Sequence, residues 1–175
     1  MNRNQRSRGT MGARRVARYG LLIALAMVLS YAETLIPAFF AVPGMKLGLT
    51  NLVVMIALYR MGSRDAIIIN LLRIVLVSMT FGNGFSLLYS LAGGLLSGAV
   101  MLLLKRTGRF GMMAVSVAGG IAHNVGQILM AMLLLGTKQI AYYLLVLWWS
   151  GLAAGLVIGL VSYEITKRLP DSLFQ

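Results

Sequence analysis

The chain has 175 residues, of which 59% are hydrophobic and 11% charged, whereas a soluble domain is typically about 45–50% apolar and about 25% charged. It contains no cysteine, which excludes disulfides, thiolate metal sites and cysteine nucleophiles. The formal charge of +12 does not point to nucleic acid. Arg3, Arg6, Arg8, Arg14, Arg15 and Arg18 all fall in the first eighteen residues, and most other basic residues flank apolar runs. Charge placed in this way orients a membrane protein in its bilayer.

Taken in order, residues 1–15 read as a basic, flexible cytoplasmic arm. The first helix is expected over 16–36, ending before Pro37. It is longer than the apolar core of a signal peptide, carries Glu33 and shows no small-residue cleavage site, so it reads as a retained span. The loop 37–44 brings Pro37, Phe39, Phe40, Pro43 and Gly44 to a membrane interface. A short second helix is expected over 47–61, and short or broken helices line many transport sites. The third runs over 64–81 and stops at the turn Gly82-Asn83-Gly84. The fourth covers 85–104, the fifth 111–135 and the sixth 140–167, leaving a tail at 169–175.

Six helices put both termini on one side of the membrane. Outside the spans or at their ends, that side carries thirteen lysines and arginines and the opposite side two, Lys46 and Lys138. The imbalance alternates loop by loop, which is the positive-inside pattern for six crossings with cytoplasmic N and C termini. The expected fold is therefore all-α: a six-helix transmembrane domain over 16–168 in the plasma membrane.

Polar residues at membrane depth are the candidate site. Arg73 lies eight residues beyond Asp65, about 12 Å along its helix and close to the midplane. A central arginine costs at least about 2.5–3.5 kcal/mol to insert, so it requires a partner or an aqueous cavity; the readings are a ligand site or, structurally, an internal pair with Glu33. His123, Asn124 and Gln127 are spaced i, i+1 and i+4 on the fifth helix, and this spacing gathers them on one side. Lys46 and Asn51, with Glu33, belong to the outer ends of the first two helices, and Asn70 and Ser90 extend the polar set. Together they outline a cavity, more cationic than anionic, suited to a small anionic or zwitterionic ligand.

Small residues four apart permit close helix approach. Gly94 and Gly98, then Gly151, Gly155 and Gly159, form the clearest sets, with Gly20 and Ala24 a weaker one; they serve internal packing or docking to a partner subunit. Enzyme motifs are absent: the four acidic residues, Glu33, Asp65, Glu164 and Asp171, are scattered, whereas diphosphate chemistry uses clustered carboxylates to hold magnesium. Neither a cofactor nor a metal is implied. Tyr142, Tyr143, Trp148 and Trp149 read as interface anchors.

Several stretches carry a family resemblance: Pro-Gly-Met-Lys-Leu-Gly-Leu-Thr-Asn (43–51), Asn-Leu-Leu-Arg (70–73), Phe-Gly-Asn-Gly-Phe-Ser (81–86), Ser-Leu-Ala-Gly-Gly-Leu-Leu-Ser (90–97) and Ala-His-Asn-Val-Gly-Gln (122–127). Through them the sequence resembles a bacterial membrane family known both as the Gx transporter family and as heptaprenyl diphosphate synthase component I. The family is similar to the substrate-binding S components of energy-coupling-factor transporters. That resemblance implies a six-helix bundle with an outward-facing pocket for a vitamin-like molecule, and a partner coupling subunit driven by two ATPases. The first helix departs from it in lacking an alanine-x-x-x-alanine pair. The synthase name implies instead an accessory role in prenyl diphosphate or quinone synthesis, and the glycine faces alone would suit a membrane anchor of a redox complex.

Overall fold

The computed structural model describes residues 3–35 and 48–170. Six α-helices make up nearly all of it: α1 (Arg3–Leu35), α2 (Asn51–Arg60), α3 (Ser63–Phe81), α4 (Gly84–Thr107), α5 (Met112–Leu135) and α6 (Leu144–Arg168), with a 3-10 segment Lys138–Tyr143 leading into α6. No strand occurs among the described residues. Helix α1 continues back to Arg3 through much of the basic stretch set apart above as an arm. The loop 37–44, Lys46 and the tail beyond residue 170 lie outside the described residues.

Local chemistry explains where the helices stop. Gly62 adopts φ 106° between α2 and α3, a conformation strained for any residue with a Cβ, so the chain reverses within two residues. The Asn83 side chain caps α4 by accepting from the Ser86 amide at 2.9 Å. Gly108 closes α4 in the left-handed region, and its amide donates to the Lys105 carbonyl.

Helix α2 is the centre of the molecule. Its residues Val53 to Leu58 are almost wholly buried, and the core around them takes Leu22 and Ala26 from α1, Ala66 and Ile69 from α3, Met101 from α4, Val115 from α5 and Ile158 from α6. A helix apolar all round is stable only when enclosed, and here all five other helices enclose it. At ten residues it is about 15 Å long, half of a hydrocarbon core about 30 Å thick.

The outer surface is apolar. Ile68, Leu72, Val75, Leu76, Leu103, Leu129, Leu133, Leu145 and Val157 are among many large hydrophobic residues left exposed, far more than a soluble protein shows. Tyr142, Tyr143, Trp148 and Trp149 are exposed where α6 begins. Four stretches, Gly12–Glu33, Gly84–Thr107, Met112–Leu135 and Lys138–Arg168, are long and apolar enough to cross a membrane. Helix α3 has the length, at 19 residues, but carries Arg64, Asp65 and Arg73.

Helices α4, α5 and α6 pack most closely, and their glycines are the cause. A Cβ at Gly155 would lie 2.6 Å from the Val117 Cα, and one at Gly120 would lie 2.6 Å from the Gly151 carbonyl oxygen. Gly94, Gly151, Gly155 and Gly159 are thus used inside the bundle, and Gly93, Gly119, Gly120 and Gly126 belong with them. Gly98 is looser, with only Asn70 Nδ2 nearby. On α1, Ala26 and Ser30 face inward. Gly20 and Ala24 face outward, with nothing within 4 Å of a Cβ built at Gly20.

At the basic end, charges hold the helices together. Arg15 pairs with Asp65, which also accepts from the Tyr19 hydroxyl at 2.7 Å, tying α1 to α3. Arg60 donates to the carbonyls of Thr166 and Leu169 at the end of α6. Lys105 donates to the Leu58 carbonyl and lies 4.8 Å from the Tyr59 ring centroid. These carbonyls belong to last helical turns, which have no partner within their own helix.

Candidate functional site

The N-terminus of α2 is buried inside the bundle rather than at its surface. Before it, Gly48 turns the chain at φ 81°, and its carbonyl accepts from the Asn51 amide at 2.8 Å. Glu33, near the end of α1, accepts from the Leu49 amide at 2.7 Å, fastening that turn to α1. Because α2 and α3 run antiparallel from Gly62, residues equally far from it in sequence come level. Asn51 and Arg73, each eleven residues away, therefore meet.

Arg73 is 6% exposed. Its Nη2 donates to Asn51 Oδ1 at 3.0 Å, its Nη1 to the Thr50 hydroxyl, and its Nε to Asn70 Oδ1 at 3.0 Å. Asn70 passes the network on, donating from Nδ2 to the Gly94 carbonyl at 3.1 Å. All three direct acceptors are neutral, and the Glu33 carboxylate adds a Coulombic attraction. A guanidinium has five N–H donors, and three of them are engaged by the described residues.

The trio on α5 is divided between two neighbours. Asn124 turns to α6 and donates to the Leu147 carbonyl at 2.7 Å. His123 and Gln127 lie against α4, where a Cβ at Gly93 would stand 3.0 Å from His123 Cε1 and from Gln127 Cγ. One residue along a helix is a turn of about 100°, and that step sends Asn124 to a different helix from His123. Gln127 Oε1 is buried without a hydrogen-bond partner among the described residues.

Asn51, His123 and Asn124 then meet around a small cavity, together with Gly48, Ser116 and Gly151. Its volume is about 10 Å³, room for roughly one water molecule. Arg73 and Asn70 lie behind Asn51, Ser90 is half-buried on α4 outside the cavity, and Lys46 falls outside the described residues. Ser116 and Thr50 join this set without having been singled out in the sequence. The signals were there: Ser116 precedes His123 by two helical turns, and Thr50 adjoins Asn51. Ser97, also buried, stands 3.3 Å from a Cβ built at Gly119. Among the described residues no three of histidine, aspartate and glutamate gather where a metal ion could be held.

The apolar exterior, the four long helices and the buried polar centre define a multi-pass helical membrane protein. Within that class the chain belongs to the family described as heptaprenyl diphosphate synthase component I, whose family model matches residues 22–165. No curated protein and no solved structure matches the chain.

Proposed function

We propose that this chain is the substrate-binding membrane subunit of a small-molecule uptake system, with six crossings, cytoplasmic termini and an S-component-like arrangement in a bacterial plasma membrane. The observation that carries the reading is Arg73, a buried cation held by neutral side chains at the inner end of a half-length helix. The positive end of the α2 dipole adds to its field, and the two remaining N–H groups would receive an anionic group of the ligand. Asn51, His123 and Asn124, which line the cavity, would supply directional hydrogen bonds, with Gln127 beside them; Asn70 would hold Arg73 in place, Glu33 would hold the turn before α2, and Ser90 and Lys46 are further candidates. A cavity of about 10 Å³ would be a closed form, and a ligand would enter only after the helices around it moved apart. Energy would come from a coupling subunit with two ATPases, which would dock on the exposed Gly20–Ala24 face of α1.

Thermal-shift measurements on the detergent-purified chain, with vitamins, prenyl diphosphates and quinone precursors, test the site. One class is expected to stabilise the protein, and Arg73→Met and His123→Ala should abolish that shift while the protein remains folded. Unchanged shifts in both variants would remove the pocket assignment.

A second reading follows from the family description: a non-catalytic membrane component of prenyl diphosphate synthesis. A prenyl-transfer assay with a soluble synthase, in the presence and absence of this chain, separates the two. A change in rate or product length would favour the second; no change would leave uptake as the reading.

A further inference from the structure

We propose that the groove between α3 and α4 is a binding site for an anionic phospholipid, with an acyl chain between the helices and the phosphate at Arg64 and Arg106. The groove has a volume of about 200 Å³ and is lined mainly by apolar side chains, with Ile67 and Leu71 on the α3 wall and Leu95, Ala99 and Leu102 on the α4 wall. From Gly94 to Leu102, both of which line it, it runs about 12 Å along α4. That holds a stretch of hydrocarbon chain but not a helix, whose diameter with side chains is about 10–12 Å. Its flanking residues Ile67, Leu71 and Leu95 are exposed, so the groove opens sideways towards lipid.

Charge sets the headgroup. Arg64 precedes Ile67 by three residues and Arg106 follows Leu102 by four, spacings that place each arginine on the same helical face as the groove wall beside it. Both lie at the same end of the bundle, both are exposed, and neither forms an ion pair among the described residues. Asp65, next to Arg64 in sequence, is already taken by Arg15 and Tyr19. A basic rim above an apolar groove between helices is the complement of an anionic headgroup joined to an acyl chain. The groove adjoins the polar cavity across Met101, which lines both, and Asn70, on the groove's inner side, has its amide committed to Gly94 and Arg73.

Native mass spectrometry of the full chain, released from detergent with equimolar phosphatidylglycerol and phosphatidylcholine, tests the assignment. Retention of phosphatidylglycerol should exceed that of phosphatidylcholine by about tenfold, since each arginine near an anionic headgroup contributes a several-fold preference. Arg64→Gln with Arg106→Gln should remove the preference. Ala99→Phe, at an exposed position where added bulk fills the groove without disturbing the core, should reduce retention of both lipids. Arg168→Gln, an exposed basic residue elsewhere, should change nothing. Equal retention of the two lipids, an Ala99→Phe protein that keeps its phosphatidylglycerol, or an equal loss in Arg168→Gln would overturn the proposal. So would displacement of phosphatidylglycerol by a prenyl diphosphate in a manner blocked by Ala99→Phe, which would give the groove another occupant.

Discussion

Arg73 shows at the scale of one residue why a buried cation asks for a use. Insertion near the bilayer centre costs at least about 2.5–3.5 kcal/mol, whereas hydrogen bonds between membrane helices contribute about 0.6 kcal/mol each on average. Three bonds to Asn51, Thr50 and Asn70 therefore offset only part of the cost. Arg73→Met, which keeps the volume and removes the charge, is expected to change unfolding free energy by no more than about 2 kcal/mol, measured by reversible unfolding in mixed micelles. A loss of about 4 kcal/mol or more would make the guanidinium a structural tie. Glycines give the opposite contrast. A Cβ at Gly126 would stand 2.6 Å from the Ala92 carbonyl oxygen, so Gly126→Ala should destabilise by about 1–3 kcal/mol through overpacking. Gly20→Ala, with open space around it, should leave stability unchanged or raise it slightly, because alanine favours the helix.

Among the elements, α2 has the least room for error, because its two ends are held by other helices. Lys105 reaches the Leu58 carbonyl and Arg60 reaches the end of α6, so two basic residues that look like orientation signals are also helix caps. Lys105→Met should destabilise by about 1–2 kcal/mol by leaving that carbonyl short of a donor. Thermal melting should show the loss, whereas Arg109→Gln on the exposed turn should melt like the parent protein. The helices themselves were legible because apolar length, Gly62, Asn83 and Gly108 mark where each must run and stop. Antiparallel counting from Gly62 pairs Asn51 with Arg73, so that contact was within reach of the sequence as well. Helix rotation was not. All the helices are apolar on most faces, and a bilayer exterior removes the polar side that shows which way a soluble helix points. The placement of Asn124 towards α6 and the inward turn of Ala26 rather than Ala24 became visible only with the helices packed.

For the molecule as a whole, the charge imbalance and the helix order make one demand that is independent of ligand. If thirteen of the fifteen loop lysines and arginines face the cytoplasm, then the α4–α5 turn lies inside, while the α3–α4 turn and the segment before α6 lie outside. The chain contains no cysteine, so single cysteines can be introduced without first removing others. Thr107→Cys marks the α4–α5 turn, Gly84→Cys the α3–α4 turn and Gln139→Cys the 3-10 segment, all at exposed positions. A membrane-impermeant maleimide added to intact spheroplasts should label Gly84→Cys and Gln139→Cys and spare Thr107→Cys until the membrane is opened. The reverse pattern would invert the protein and place the entrance to the buried Arg73 centre on the cytoplasmic side, which is incompatible with capture of a ligand from outside. Labelling of Thr107→Cys together with only one of the other two would break the alternation and with it the six-crossing reading. Half-length α2 is what gives the outcome its consequence. On the six-crossing reading it would run from the basic end at Arg60 to about halfway through the bilayer at Asn51, so the side on which its N-terminus opened would be the side from which a ligand came.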